Sequence, residues 1–98
     1  IVAKQFAATG EFAGIICLGA VIKGETTHDL YINHQVSNSL GNLSLEYNLP
    51  VGFGLLTCQS MEQAMNRAGG TVGNKGEEAA TAVLQTLSVI RQINQPVN

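Results

Sequence analysis

The run Gly24-Glu25-Thr26-Thr27-His28 lies where an apolar strand is expected to end and a helix to begin. A helix start exposes backbone N–H groups that have no intrahelical partner and carries the positive end of the helix dipole, so it attracts anions. Gly24 lets a phosphate approach the backbone closely, and Thr26 or Thr27 is placed to cap the helix. Glu25 is expected to turn its carboxylate to solvent while its N–H faces the anion. His28 follows directly, and imidazole is the side chain best suited to moving protons near neutral pH. A phosphate cradle beside a proton carrier suits an enzyme acting on a small phosphorylated molecule. A plainer role, as a capping or solvated residue, is open to His28 on these grounds alone. His34 is expected to be an exposed helix residue, and a six-residue spacing from His28 puts the two on different helix faces, which argues against a shared metal ion.

The elements that would position these residues are legible in the spacing of apolar side chains. Gly14 to Ile22 is a continuous apolar run without alternation, the pattern of a strand covered on both faces in a parallel sheet. Ile32, Val36, Leu40, Leu43 and Tyr47 recur at helical spacing and predict a helix over residues 28–46. Asn48-Leu49-Pro50 ends it, since proline lacks the N–H and disfavours helix at the residue before it. Val51 to Thr57 is a second apolar strand, which completes a βαβ unit. Ser60 opens a short helix, with Gln63 completing a capping box and Met61, Ala64, Met65 and Ala68 as its buried face. Arg67 stands near the end of that helix, where a cation also serves the dipole. A turn at Gly73-Asn74-Lys75-Gly76 leads into a last helix over 77–93, with Ala80, Val83, Leu84, Leu87 and Ile90 as its apolar side. Glu77 and Glu78 favour that helix's N-terminus, and residues 95–98 are expected to fray.

Residues 1–9 have the pattern of a helix with Val2, Ala3 and Phe6 on its apolar side and Gly10 as its stop, but nothing caps its start. Two parallel strands are too few to close a core. Both points lead to the expectation that further strands come from missing sequence or a partner chain, and that residues 1–98 form a single domain, the C-terminal portion of a subunit.

Hydrophobic residues make up 45% of the 98 and charged residues 12%, so part of the apolar surface is expected to meet other subunits. A net charge of -2 with five Lys and Arg provides no basic stripe for nucleic acid. No apolar run reaches the ~18–20 residues that span a bilayer, and no signal-peptide pattern opens the chain. Neither a nucleic-acid nor a membrane partner is expected, and the cytoplasm is the expected address. Cys17 and Cys58 belong to no metal or redox motif and are expected to be buried, inert thiols.

Four segments in order carry a resemblance: Gly19 to His28, Pro50 to Thr57, Glu62 to Gly69, and the Gly73-Asn74-Lys75-Gly76 turn. Together, and with matching spacings from Ile1 to about Ile90, they resemble the lumazine synthase family. The resemblance implies a flavodoxin-like α/β fold, a parallel sheet between helices, with the family's N-terminal strands absent from this chain. It implies a homo-oligomer, either a pentamer or twelve pentamers in an icosahedral shell, with active sites between neighbouring subunits. The reaction implied is condensation of 5-amino-6-ribitylamino-2,4-pyrimidinedione with 3,4-dihydroxy-2-butanone 4-phosphate, giving 6,7-dimethyl-8-ribityllumazine, phosphate and water, with no metal or organic cofactor.

By position, His28 is similar to the family's proton-shuttling histidine and Arg67 to the residue that grips the phosphate. Gly24, Glu25 and Thr26 match the backbone phosphate cradle, and Ala20, Val21 and Ile22 the strand end that meets the pyrimidine. Phe53 and Lys75 match contributions from the adjacent subunit, with Glu78 at a polar position next to that lysine. Asp29-Leu30-Tyr31 departs from the commoner order, in which an aromatic residue and then Asp follow the histidine. The alternative function is a non-catalytic assembly or ligand-binding relative that lost the chemistry with the missing elements. A narrower alternative, an archaeal-type riboflavin synthase of the same fold, is opposed by the Gly73–Gly76 turn.

Overall fold

In the computed structural model, which describes residues 1–96, the chain runs α1 (Val2–Ala8), β1 (Ile15–Ile22), α2 (His28–Tyr47), β2 (Val51–Cys58), α3 (Met61–Arg67) and α4 (Lys75–Ile93). Gln95 and Pro96 continue past the last helix, and the rest of the expected tail, residues 97–98, lies outside the described residues. β1 and β2 pair in parallel, from Ile15 opposite Val51 to Ile22 opposite Cys58. The pairing is extended at both ends, where the Ile15 N–H donates to the Pro50 carbonyl at 3.0 Å and the Lys23 N–H to the Cys58 carbonyl at 2.8 Å. The fold is α/β as expected, a parallel pair flanked by helices in the flavodoxin-like manner, with the crossover helix α2 between its strands.

Alternation along the strands sorts residues to two faces. On the even-numbered face, α4 comes so close to β2 that only glycine fits: a Cβ at Gly52 would lie 2.9 Å from Val83 Cγ2, and one at Gly54 3.3 Å from Ala79 Cβ and 2.6 Å from Leu18 Cδ2. The same face continues into a small core of Leu56, Cys58 and Ala64, with Ile22 packed against it. With α3 and α4 on that side, α2 takes the odd-numbered face, and α1 packs beside it. Cys17 and Cys58 therefore fall on opposite faces, out of reach of each other. Burial pushes the Cys17 thiol above its ordinary range, which keeps it protonated and unreactive near neutral pH.

The helix ends are held by local hydrogen bonds. Ser60 Oγ accepts from the Gln63 N–H at 3.2 Å, while Gln63 Oε1 reaches back to the Gln59 N–H at 2.9 Å, one residue before the cap. Asn48 ends α2 in the left-handed region at φ 54°, and the adjacent Leu49 carbonyl accepts from Ser44 Oγ at 2.7 Å. The expected stripe of α2 is on its covered side, with Leu43 buried.

Five expectations are corrected. α4 starts at Lys75, two residues before the predicted start, because Asn74 Oδ1 accepts from the Glu77 N–H at 3.0 Å and caps the helix there. Its buried side is centred on Ala79 and Val83 while Leu84 is exposed, since the glycines of β2 admit only small or branched residues opposite them. In α3 only Ala64 of the expected face is buried; Met61 and Met65 are 61% and 66% exposed, because so short a helix rests on the sheet through a single turn. β1 is not covered on both faces: Ile16 and Leu18 are 44% and 69% exposed. α4 sits over β2, and among the described residues the other edge of β1 has no neighbouring strand. In α1, Ala7 is buried where Phe6 was expected to be, and the Phe6 ring instead meets Phe12 edge-on with centroids 5.5 Å apart.

Candidate active site

Strand β1 delivers the chain to the first candidate site. The Lys23–Cys58 hydrogen bond is the last rung of the pairing, and Gly24 is the first residue free of the sheet. From there to His28 the chain is exposed, turning from strand to helix. Thr27 takes the cap position of α2 but makes no side-chain cap bond. Thr26 does that work from one residue earlier, its Oγ1 accepting from the His28 N–H at 3.3 Å. One of the N–H groups expected to face an anion is therefore already taken. The helix then closes its first turn with the Leu30 N–H donating to the Thr27 carbonyl at 3.0 Å.

A cleft of ≈ 240 Å³ opens here, lined by Val21, Ile22, Gly24, Thr26, His28, Asp29 and Ile32. It brings together the strand end, two of the three cradle residues and the histidine. Ala20 and Glu25 are exposed and do not line this cleft. Asp29 and Ile32 do, although their part was not legible beforehand; the only sequence signal was the departure at Asp29 from the common order.

The second candidate site is built on β2 and the two helices that follow it. Arg67 ends α3, and its Nη1 donates to the Gln63 carbonyl of the same helix at 3.2 Å. The guanidinium thus serves the helix terminus and still has donors to spare. Between Arg67 and α4 the chain makes a tight loop. The Val72 N–H donates to the Asn66 carbonyl at 2.9 Å and the Gly69 N–H to the Gly73 carbonyl at 2.8 Å. Gly69 and Gly73 have φ of 112° and 143°, a conformation that residues with a side chain rarely adopt. This loop returns the chain so that Lys75, on the first turn of α4, faces the same space as Arg67.

That space is a cleft of ≈ 390 Å³ lined by Leu55 to Cys58, Arg67, Val72, Gly73, Lys75 and Glu78. Four consecutive strand residues line it, so it lies at the C-terminal end of β2. Two cations and one carboxylate share it, an arrangement that holds an anion while Glu78 moderates the charge. Thr57, Cys58 and Gly73 were not expected as lining residues. Phe53, also expected at the site, is exposed on the odd-numbered face of β2 and lines neither cleft.

The expected site residues therefore separate within one copy of the chain. His28 with the cradle lies at the end of β1, and Arg67, Lys75 and Glu78 share a separate cleft at the end of β2. Among the described residues no group of three His, Cys, Asp or Glu side chains is arranged to hold a metal ion, and no helix is long and apolar enough to cross a membrane.

Comparison with known proteins agrees with the resemblance. The sequence pattern of the family described as 6,7-dimethyl-8-ribityllumazine synthase matches residues 1–91. A protein of that name from Desulfovibrio desulfuricans is 47% identical over 93 residues, covering 95% of this chain and 60% of the relative. One from Nitratidesulfovibrio vulgaris is 50% identical over the same shares, and one from Rhodopirellula baltica is 60% identical over 74 residues, 76% of this chain and 48% of the relative. The chain thus spans about 60% of the length of the curated relatives it matches along nearly all of its own. With the pattern matched from Ile1 to Arg91 and the strand-end, cradle and loop motifs placed on the elements that carry them, this chain belongs to the 6,7-dimethyl-8-ribityllumazine synthase family.

Proposed function

We propose that this chain serves the condensation of 5-amino-6-ribitylamino-2,4-pyrimidinedione with 3,4-dihydroxy-2-butanone 4-phosphate, releasing 6,7-dimethyl-8-ribityllumazine, phosphate and water. The division of chemistry between two clefts supports this most directly. One cleft offers a proton carrier and a strand end, the other two cations, and no residue lines both. A site that joins two substrates becomes complete when the His28 cleft of one copy meets the Arg67 cleft of the next. A closed ring of five copies, alone or as twelve rings in a shell, satisfies that requirement for every copy.

In such a site Arg67 and Lys75 hold the phosphate of the butanone substrate, with the Gly24–Thr26 backbone completing the cradle. Ala20, Val21 and Ile22 face the pyrimidine ring, Phe53 of the adjacent copy closes the wall, and Glu78 orients Lys75. The 5-amino nitrogen attacks the ketone carbon and water leaves to give an imine. The neighbouring carbon then gives up its proton as the C–O bond to phosphate breaks. The ribitylamino nitrogen closes the ring onto the resulting carbonyl with loss of a second water. His28 carries protons between nitrogen, oxygen and the leaving phosphate in these steps. The expected setting is the cytoplasm, with residues 1–98 acting as one domain.

The test compares the chain alone with the chain joined to the additional N-terminal segment of its relatives. Light scattering reports assembly, and absorbance of the lumazine product reports activity. Product formed by the assembled form supports the proposal. A well-folded assembly that binds the pyrimidine but forms no lumazine would instead establish a non-catalytic binding or assembly role.

A further inference from the structure

Helix α2 carries two side-chain oxygens that are sealed from solvent without a hydrogen-bond donor, Oδ1 of Asp29 and Oδ1 of Asn33. They are one helical turn apart, the spacing at which side chains of a helix meet. Asp29 is also part of the lining of the His28 cleft. A helix dipole explains an acid in the first turn, but an acid serving only the dipole keeps both carboxylate oxygens in water. Enclosing one of them needs a donor, and a buried acceptor without one is rare in folded proteins. The amide of Asn33 can supply it: turned over about its last torsion, it exchanges oxygen for nitrogen without changing shape and donates to Asp29. Such a bond would orient the carboxylate at the cleft that Asp29 lines.

A carboxylate repels phosphate, so the anion and Asp29 take different ends of the same cleft. Gly24 and Thr26 form the phosphate end, and Asp29 faces whatever bears hydrogen-bond donors. We propose that Asp29 is a specificity-determining residue of the His28 cleft, accepting a hydrogen bond from an N–H or O–H group of the amine-bearing substrate, and that Asn33 positions it. This rests on the condensation proposed above.

The test measures KM for each substrate separately in the full assembled chain, with light scattering and a thermal melt to verify each variant. Asp29→Leu, which keeps the branching at Cγ and removes both acceptors, is expected to raise KM for the aminopyrimidine about tenfold or more, the scale of one charge-assisted hydrogen bond. KM for the butanone phosphate is expected to stay the same or fall, since removing a negative charge from the cleft does not weaken anion binding. Asp29→Asn keeps an acceptor and the shape, and is expected to fall between wild type and Asp29→Leu; it carries the test if Asp29→Leu does not assemble. Asn33→Leu is expected to shift the same KM by less, and to add nothing in the Asp29→Leu background, a coupling that a merely structural role would not produce. Unchanged KM for the aminopyrimidine, an equal rise for both substrates, or additive effects of the two positions would overturn the proposal. A wild-type assembly that forms no lumazine would sink the condensation itself. Direct titration with the aminopyrimidine would then still decide whether Asp29 sets its affinity.

Discussion

The two clefts differ in how the chain holds them. The His28 cleft sits on an exposed turn whose helix cap is irregular, with Thr26 rather than Thr27 satisfying one N–H and no side chain capping from the cap position. The Arg67 cleft rests on a loop closed by three backbone hydrogen bonds and flanked by two regular side-chain caps, Ser60 for α3 and Asn74 for α4. A cradle must keep backbone donors unspent until a ligand arrives, whereas a cation clamp needs its side chains aimed in advance. Local stability and ligand capacity therefore pull in opposite directions, and each cleft has settled on one of them.

The largest expected effect breaks the chemistry on the His28 side. His28→Ala in the complete assembly should slow lumazine formation by ~10²–10⁴, the usual contribution of a general acid–base group, without abolishing it. Rapid-mixing absorbance measures this, and an unchanged rate would remove His28 from the mechanism. A smaller effect separates the clefts by substrate. Arg67→Ala should weaken the phosphate-bearing substrate by about 10- to 100-fold, as expected for a charged hydrogen bond worth about 1.5–3 kcal/mol, and leave pyrimidine affinity nearly unchanged. Equal losses for the two substrates in binding titrations would count against a phosphate role. The smallest effect compares the two helix starts. Asn74→Ala should cost about 1 kcal/mol of stability, while Thr27→Ala should stay within about 0.5 kcal/mol because its side chain caps nothing. Urea midpoints decide this, and a costly Thr27→Ala would mean that the α2 start is capped after all.

Much of the fold was legible from side-chain spacing. The stripe Ile32 to Tyr47, the stop at Asn48-Leu49-Pro50 and the cap at Ser60 are local events, settled by residues within a turn or two of each other. The start of α4 was misread because Lys75 and Gly76 look like turn residues, while the hydrogen bond that makes them helical comes from the Asn74 side chain. The burial of Ala79 in place of Leu84, and the exposure of Met61 and Met65, could not be read from periodicity at all. An amphipathic pattern gives a stripe about a third of a helix wide, and what lies across from it decides which residue at its margin is covered.

For the site, residue types determined the chemistry on offer: an imidazole after a small, hydroxylated strand-to-helix turn, and two cations around a glycine-rich loop. A chain order of strand, helix, strand and two helices was equally implicit in the sequence. Only the tertiary structure separated these groups into two clefts, one built on the end of β1 and the start of α2, the other on the end of β2 with α3 and α4. It alone enclosed Oδ1 of Asp29 and of Asn33, since enclosure depends on how closely α2 approaches the sheet. Sequence spacing specifies which side chains share a face; distance across the packed interface decides what each of them can reach.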